Sequence, residues 1–105
     1  MARFVKVASL QQVHERRGML VTVEGGDIAL FKRHGEVYAI SNICAHQHFS
    51  MLHQGELEGD EVTCPMHGWK YSLCTGIATT GQGKVATYSV KIVGEDVLIG
   101  LPDLL

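Results

Sequence analysis

The sequence contains no long apolar run and no large basic cluster, and it has few prolines, tryptophans and cysteines. Its 105 residues include 2 prolines, 1 tryptophan and 3 cysteines, and 19% of them are charged. A transmembrane helix needs about 18 or more consecutive apolar residues, and none is present. No charged and then apolar leader opens the chain either. We therefore expect a cytoplasmic protein that neither spans nor binds a membrane.

The charge distribution argues against a nucleic-acid binder. The formal net charge is −2, and the basic residues form no group larger than the pairs Arg16-Arg17 and Lys32-Arg33. Proteins that bind nucleic acid usually carry a basic patch or stripe. The cysteine count is odd, so a framework made only of internal disulfides is not predicted. Few cysteines are also typical of a reducing compartment.

What the chain does contain is short β-rich runs, separated by glycine, aspartate and asparagine. A length of 105 residues with 46% hydrophobic residues predicts one domain, residues 1–105, with a modest core. The alternation of apolar and polar residues predicts an all-β domain of small antiparallel sheets. The predicted strands cover residues 4–8, 19–24, 28–33, 36–41, 61–63, 70–73, 87–93 and 97–99.

Some connections are also predicted. Residues 9–17 read as a loop or one helical turn, residues 25–27 as a hairpin turn, and residues 56–59 as a turn. The run from 87 to 93 alternates, which places Tyr88, Val90 and Ile92 on one face of a single strand.

Two short segments carry the residues that can bind a metal. The first contains Cys44 and His46, and the second, after seventeen intervening residues, contains Cys64 and His67. Thiolate and imidazole at short spacing suit a thiophilic metal. A zinc finger usually groups its two cysteines and its two histidines, whereas each pair here is mixed. This order favours a 2Fe–2S cluster in which one iron takes both cysteines and the other both histidines. A Cys2His2 zinc site remains the alternative.

The four residues and their neighbours resemble the motif of Rieske 2Fe–2S proteins, Cys-x-His followed by Cys-x-x-His. The matching positions are Cys44, His46, Cys64 and His67, with Pro65, Gly68 and Trp69 beside them and Thr75-Gly76 downstream. More specifically, the chain resembles the small soluble Rieske-type ferredoxins of aromatic-ring dioxygenases. It implies the Rieske fold, in which small antiparallel sheets form a base with an inserted cluster-binding subdomain, here about residues 42–76.

This resemblance also implies a function. The chain would be a one-electron carrier with one cluster, passing electrons from an NAD(P)H-dependent flavoprotein reductase to a terminal, aromatic-ring-hydroxylating oxygenase. It would be an electron-transfer protein and no enzyme itself, because the length leaves no room for a mononuclear iron domain. We also expect a monomer. The alternatives are a small Rieske subunit of a nitrite-reductase-like or other oxidoreductase complex, and a zinc-stabilised β module without redox work.

Several positions refine these expectations. High-potential members of the family have a disulfide and a serine where this chain has Phe49, Met66 and Trp69, which predicts a low potential. Tyr71 matches the tyrosine of the same motif.

Side-chain roles near the motif are predicted as well. Gly55, Gly68 and Gly76 are predicted to offer backbone N–H groups to cluster sulfurs. Trp69 is expected to anchor its loop in the core, and Cys74 to be a small buried residue.

The remaining histidines are less favoured as ligands than His46. His48 and His53 lie in the same loop and are the alternatives, while His14 and His34 are predicted to be surface residues.

Overall fold

The computed structural model describes residues 2–43, 50–65, 68–80 and 83–102, and in these ranges the regular structure is almost entirely β. Two short 3-10 helices, Leu10–Gln12 and Leu52–Gln54, interrupt the strands. Neither has the length and apolar character that a membrane-crossing helix requires. The strands in these ranges are β1 Ala2–Ser9, β2 Met19–Val23, β3 Gly26–Arg33, β4 Glu36–Ser41, β5 Glu56–Glu58, β6 Glu61–Thr63, β7 Lys70–Ser72, β8 Thr87–Tyr88, β9 Val90–Val93 and β10 Asp96–Pro102.

The strands form three antiparallel sheets, with the orders β1-β10-β9, β2-β3-β4-β8 and β5-β6-β7. This confirms the predicted all-β class of small antiparallel sheets. The hairpin from β2 to β3 turns at Glu24 and Gly25, whose φ angles are 50° and 84°. Positive φ at both central residues is the requirement of a type I′ turn, which suits the twist of a hairpin. The turn therefore lies one residue earlier than predicted, because Gly26 already belongs to β3.

The strand β3 separates two hydrophobic cores. Ile28 and Leu30 face one core, and Ala29 and Phe31 face the other, as the two-residue period of a strand requires. All four side chains are essentially inaccessible to solvent. The first core, shared with the β1-β10-β9 sheet, contains Ala8, Val13, Val21, Ile28, Leu30, Ala39, Val97, Ile99 and Leu101. The second core, shared with the β5-β6-β7 sheet, contains Ala29, Phe31, Ile40, Leu52, Val62, Cys64, Tyr71, Leu73 and Val85.

The predicted single strand at 87–93 is wrong, because the chain changes sheets in the middle of it. Thr87 and Tyr88 pair with β4, whereas β9 pairs with β10. Between them, the carbonyl of Ser89 accepts a hydrogen bond of 2.8 Å from the Gly100 N–H. Ile92, predicted to lie on the same face as Tyr88, is 42% exposed, whereas Tyr88 is half-buried. Each half of the run follows a different partner strand, which the alternation alone does not reveal.

Two other connections, residues 56–59 and residues 9–17, can be compared with their predictions. The turn expected at 56–59 is wrong for its first three residues, because Glu56–Glu58 forms the strand β5 and pairs with β6. Its sequence Glu-Leu-Glu has low strand propensity, so the pairing partner decides its conformation. Of the loop or single helical turn considered for residues 9–17, the structure shows a 3-10 turn at Leu10–Gln12.

Candidate metal centre

The second of the two predicted ligand loops is closed by backbone hydrogen bonds. Cys64 directly follows β6, and its N–H donates to the Trp69 carbonyl at 2.7 Å. The Gly68 N–H donates back to the Cys64 carbonyl at 3.0 Å. Gly68 has a φ of 74°, a left-handed conformation that costs glycine little. A short loop is thus held at both ends by main-chain atoms, and Cys64 lies at its base.

The Cys64 side chain belongs to the second core. It is 1% exposed and lies in the same hydrophobic cluster as Tyr71, which is fully buried. Trp69 is half-buried and packs against this cluster, so its predicted anchoring role is confirmed. Of the four predicted ligands Cys64 alone is described, because Cys44, His46 and His67 lie outside the described residues.

The first ligand loop is bounded by residues that lie side by side. Ile43 and Ser50 form an antiparallel bridge, and residues 44–49 connect them. Beyond the bridge, the N–H groups of Met51 and Leu52 both donate to the Asn42 carbonyl at 3.1 Å. The two ends of this loop are therefore fixed next to each other at the end of β4.

The two loops start from one region of the fold. Leu52, just after the first loop, is fully buried in the same cluster as Cys64. Gly55 lies so close to β6 that a Cβ atom there would come within 3.0 Å of the Thr63 carbonyl oxygen and the Val62 side chain. This close approach places the segment after the first loop against the strand that leads into Cys64.

The glycine N–H groups predicted to reach cluster sulfurs are used elsewhere, so that prediction is wrong. The N–H groups of Gly55, Gly68 and Gly76 donate to the carbonyls of Leu52, Cys64 and Ser72 at 2.9, 3.0 and 2.8 Å. Glycine is needed at these positions for the backbone itself: Gly68 and Gly76 have a φ of 74°, and Gly55 has no space for a Cβ.

The histidines that were weighed as alternatives differ in their surroundings. His53 is half-buried, and its Nδ1 lies 3.1 Å from the Asn42 Oδ1 atom, which engages that nitrogen in a hydrogen bond. His48 lies outside the described residues. His14 and His34 are exposed, as predicted.

Cys74 is exposed, which contradicts the prediction of a buried apolar residue. It lies in the turn after β7, beside Tyr38 of β4. Partial burial, followed by the hydrogen bond with Cys74 and nearby acidic groups, raises the pKa of Tyr38 to about 12. A turn at the surface leaves a cysteine accessible whatever its apolar character.

The residues present fit a Rieske cluster. Two cysteines and two histidines in mixed pairs are its donor set. A thiolate in a buried setting such as that of Cys64 needs a compensating positive charge, which a bound iron ion supplies. Pro65 and Gly68, on either side of the pair 66–67, are both exposed. The base of this loop is thus buried, and the described residues nearer its tip reach the surface.

Comparison with known proteins agrees with this reading. The profile of the family described as Rieske [2Fe-2S] domain matches residues 3–98. The ferredoxin component of the naphthalene 1,2-dioxygenase system of Pseudomonas aeruginosa is 38% identical over 101 residues, which cover 94% of this chain and 96% of that protein.

Two solved structures share the fold. A chain in the complex of reduced oxygenase and oxidized ferredoxin of carbazole 1,9a-dioxygenase has a TM-score of 0.82 and 24% identity, covering 91% of each chain. The putative NADH-dependent nitrite reductase small subunit of Mycobacterium tuberculosis has a TM-score of 0.91 and 16% identity, covering 99% of each. At these identities the likeness concerns the fold alone. The family match and the 38% identical relative go further: this chain belongs to the Rieske [2Fe-2S] family and is an electron-carrying ferredoxin component of the dioxygenase type.

Proposed function

We propose that this chain accepts single electrons from an NAD(P)H-dependent flavoprotein reductase and passes them to a terminal oxygenase that hydroxylates an aromatic ring. The observation that carries the proposal is the nearly end-to-end match, at 38% identity, with the ferredoxin component of a naphthalene dioxygenase system. The solved carbazole dioxygenase complex supports an oxygenase as the electron acceptor in a protein of the same fold. Transient docking through a small interface suffices for such a carrier.

We assign Cys44 and Cys64 as the ligands of one iron, and His46 and His67 as the ligands of the other. A Rieske cluster, when bound, gains and loses one electron. The burial of Cys64 and the exposure of its neighbours Pro65 and Gly68 support an arrangement with the cysteines inside and the histidines toward the surface. The role of the chain is then to exclude water from the thiolates and to leave the imidazoles accessible to the partner proteins.

We further propose that residues 1–105 form a single Rieske domain with a cluster-binding subdomain of about residues 42–76. The separate sheet β5-β6-β7 lies within this segment, and its core is shared with β3 and β4. We propose a cytoplasmic monomer, in keeping with the small number of cysteines and the exposed Cys74.

The test begins with the purified chain. We expect a red-brown protein with two irons and two sulfides per chain and a reduced Rieske-type EPR signal. The potential should lie near roughly −150 mV, because Trp69 stands where high-potential members have a hydrogen-bonding serine. Stopped-flow spectroscopy should then show reduction by NADH with a flavoprotein ferredoxin reductase, and reoxidation by a substrate-loaded aromatic-ring oxygenase.

Other outcomes would select the alternatives. A colourless protein that contains zinc would support the non-redox module. A coloured protein that is reoxidised only within a stable complex with nitrite-reductase-like subunits would support the permanent small subunit. Size-exclusion chromatography distinguishes that complex from a monomer that docks transiently.

A further inference from the structure

The described part of the chain contains one fully buried amide, and it lies beside the first ligand loop. Asn42 follows β4, is 0% exposed, and is the one polar or charged side chain classed as buried among residues 2–43, 50–65, 68–80 and 83–102. Burying an amide is costly unless its donors and acceptor are satisfied. The partners of Asn42 therefore show what this burial achieves.

The Asn42 side chain connects to residues just beyond the loop. Its Nδ2 donates to the Ser50 hydroxyl at 2.8 Å. Its Oδ1 accepts a hydrogen bond of 2.5 Å from the His53 N–H and lies 3.1 Å from His53 Nδ1. Together with the bonds from Met51 and Leu52 to its carbonyl, Asn42 holds four successive residues, 50–53.

The same hydrogen bonds connect the ends of the loop to the sheet β2-β3-β4-β8. The Ser50 hydroxyl donates to Asp27 Oδ2 at 2.6 Å, and the Asn42 N–H donates to the Asp27 carbonyl at 2.9 Å. Asp27 is in β3, where it also accepts a hydrogen bond of 3.2 Å from the Thr22 hydroxyl. The residues that flank segment 44–49, Asn42 and Ser50, are therefore both anchored to one strand, β3.

The hydrogen-bond partners allow one orientation of the Asn42 side-chain amide and one direction of the Ser50 hydroxyl proton. A backbone N–H can only donate, so the amide atom facing His53 must be the oxygen and the atom facing Ser50 the nitrogen. The Ser50 hydroxyl accepts from Asn42, so its own proton points to the Asp27 carboxylate. The chain of bonds runs in one direction, and removing any member leaves a neighbour unsatisfied.

We propose that Asn42, acting through Ser50 and anchored by Asp27, is a positioning residue for the cluster ligands Cys44 and His46. This inference rests on the ligand assignment in the proposed function. Asn42 would act through the backbone, because its hydrogen bonds hold together the two ends of the loop that carries these ligands. Iron–ligand bonds tolerate little displacement, so a loosened loop should release the cluster more readily.

The decisive variants are Asn42→Ala and Ser50→Ala, with Ser50→Thr as the conservative rescue, because threonine retains the hydroxyl. Ser72→Ala is the matched control. The Ser72 hydroxyl, in β7, takes part in two hydrogen bonds as well: it accepts from the N–H groups of Cys74 at 3.2 Å and Thr75 at 3.3 Å, and neither bond involves residues 50–53. Both Ser→Ala changes therefore remove the same atom and two hydrogen bonds each.

Three readouts are measured on the purified holoprotein. The rate of bleaching by an iron chelator reports cluster release, and the g-values of the reduced EPR signal report ligand geometry. Hydrogen exchange of the peptide that contains His53 reports the hydrogen bonds between Asn42 and residues 50–53, and this readout does not depend on the cluster. We expect Asn42→Ala and Ser50→Ala to bleach about tenfold faster than the wild type. Asn42→Ala should also exchange the His53 amide about tenfold faster. Ser50→Thr and Ser72→Ala should stay within about twofold of the wild type.

The outcomes separate this inference from the proposed function. Wild-type protein without iron and sulfide would overturn the proposed function and this inference with it. A wild type that holds its cluster, with Ser50→Ala bleaching no faster than Ser72→Ala, would overturn the positioning role alone. A Ser50→Thr variant as fast as Ser50→Ala would do the same. If Asn42→Ala does not fold, the Ser50 pair and its control decide the matter by themselves.

Discussion

The two predicted ligand loops differ in how far side chains take part in closing them. The loop from Cys64 to Trp69 is held by two main-chain hydrogen bonds and the left-handed backbone of Gly68. The loop across residues 44–49 has main-chain bonds at its ends as well, but there the side chains of Asn42, Ser50 and Asp27 add hydrogen bonds of their own. Main-chain bonds survive most side-chain changes, whereas the added side-chain bonds depend on the identity of each member. We therefore expect the first loop to be the more sensitive of the two to substitution.

The largest expected effect comes from the ligands, which both loops supply. Cys64→Ser should abolish the red-brown colour, and His46→Cys or His67→Cys should change or abolish the Rieske-type EPR signal. His48→Ala is the control and should retain the signal, because the motif assigns no bond to it. Loss of the cluster in folded His48→Ala protein would show that the ligand assignment is wrong.

The next effect concerns Gly55, which follows the first loop and packs against β6, the strand that leads into the second loop. Gly55 has an ordinary φ of −71°, but a Cβ there would collide with Thr63 and Val62. We expect Gly55→Ala to lower the free energy of unfolding by about 3 kcal/mol, the cost of overpacking.

The matched variant is Gly68→Ala. Its φ is 74°, yet a Cβ there meets no atom of the described residues within 4 Å. The cost should be backbone strain alone, about 1 kcal/mol. Urea unfolding of both holoproteins measures the difference, and equal losses would contradict the assignment of distinct causes.

A smaller loss of stability should come from the hydrogen bond between Asp27 and Ser50, and it should be independent of the region around the second loop. Asp27→Asn removes the charge from the hydrogen bond with Ser50 and should cost about 1.5 kcal/mol of unfolding free energy. A double-mutant cycle of Asp27→Asn with Ser50→Ala should be non-additive by about 1 kcal/mol, since the two residues share one bond. The same cycle of Asp27→Asn with Ser72→Ala should be additive. Non-additivity in the second cycle would show that the hydrogen bonds at the first loop and those around Ser72 are energetically coupled, against our expectation.

The smallest effect lies outside both loops. Two hydrogen bonds of 2.9 and 2.7 Å join the Arg3 guanidinium to the Glu24 carboxylate. The hydrogen bond to Arg3, partly opposed by desolvation and reinforced by its charge, lowers the pKa of Glu24 below 4.5. Stability from this pair is therefore present above pH 4.5 and is lost as the pH falls through the lowered pKa.

The variant for this pair is Arg3→Gln. It should be slightly less stable than the wild type at neutral pH and equal to it at strongly acidic pH, because the exposed pair contributes little and only while Glu24 is ionised. Thermal unfolding across this pH range is the measurement. A difference that persists at acidic pH would mean that Arg3 acts by packing rather than by charge. The cluster-release rate should not change, since neither residue belongs to a loop closure.

The strands show where sequence reasoning succeeds and where it fails. Glu36–Ser41 and Glu61–Thr63 were predicted from end to end, because turn residues and β-rich composition delimit them locally. The run at 87–93 was predicted as one strand and is two, because the change of sheet at Ser89 depends on partners far along the chain. β5 was missed for the same reason: Glu-Leu-Glu becomes a strand only beside β6.

The sequence by itself carries the proposal for the donor set, because two mixed Cys-His pairs at these spacings belong to few chemistries. It also determined the all-β class, because alternation along a strand is a local property of the chain. The tertiary structure alone decided that Cys64 is buried, that Cys74 is exposed, and that Asn42 joins Ser50 and His53 to the strand of Asp27. Burial and hydrogen-bond partners depend on segments that only folding brings together, and no spacing along the chain records those contacts.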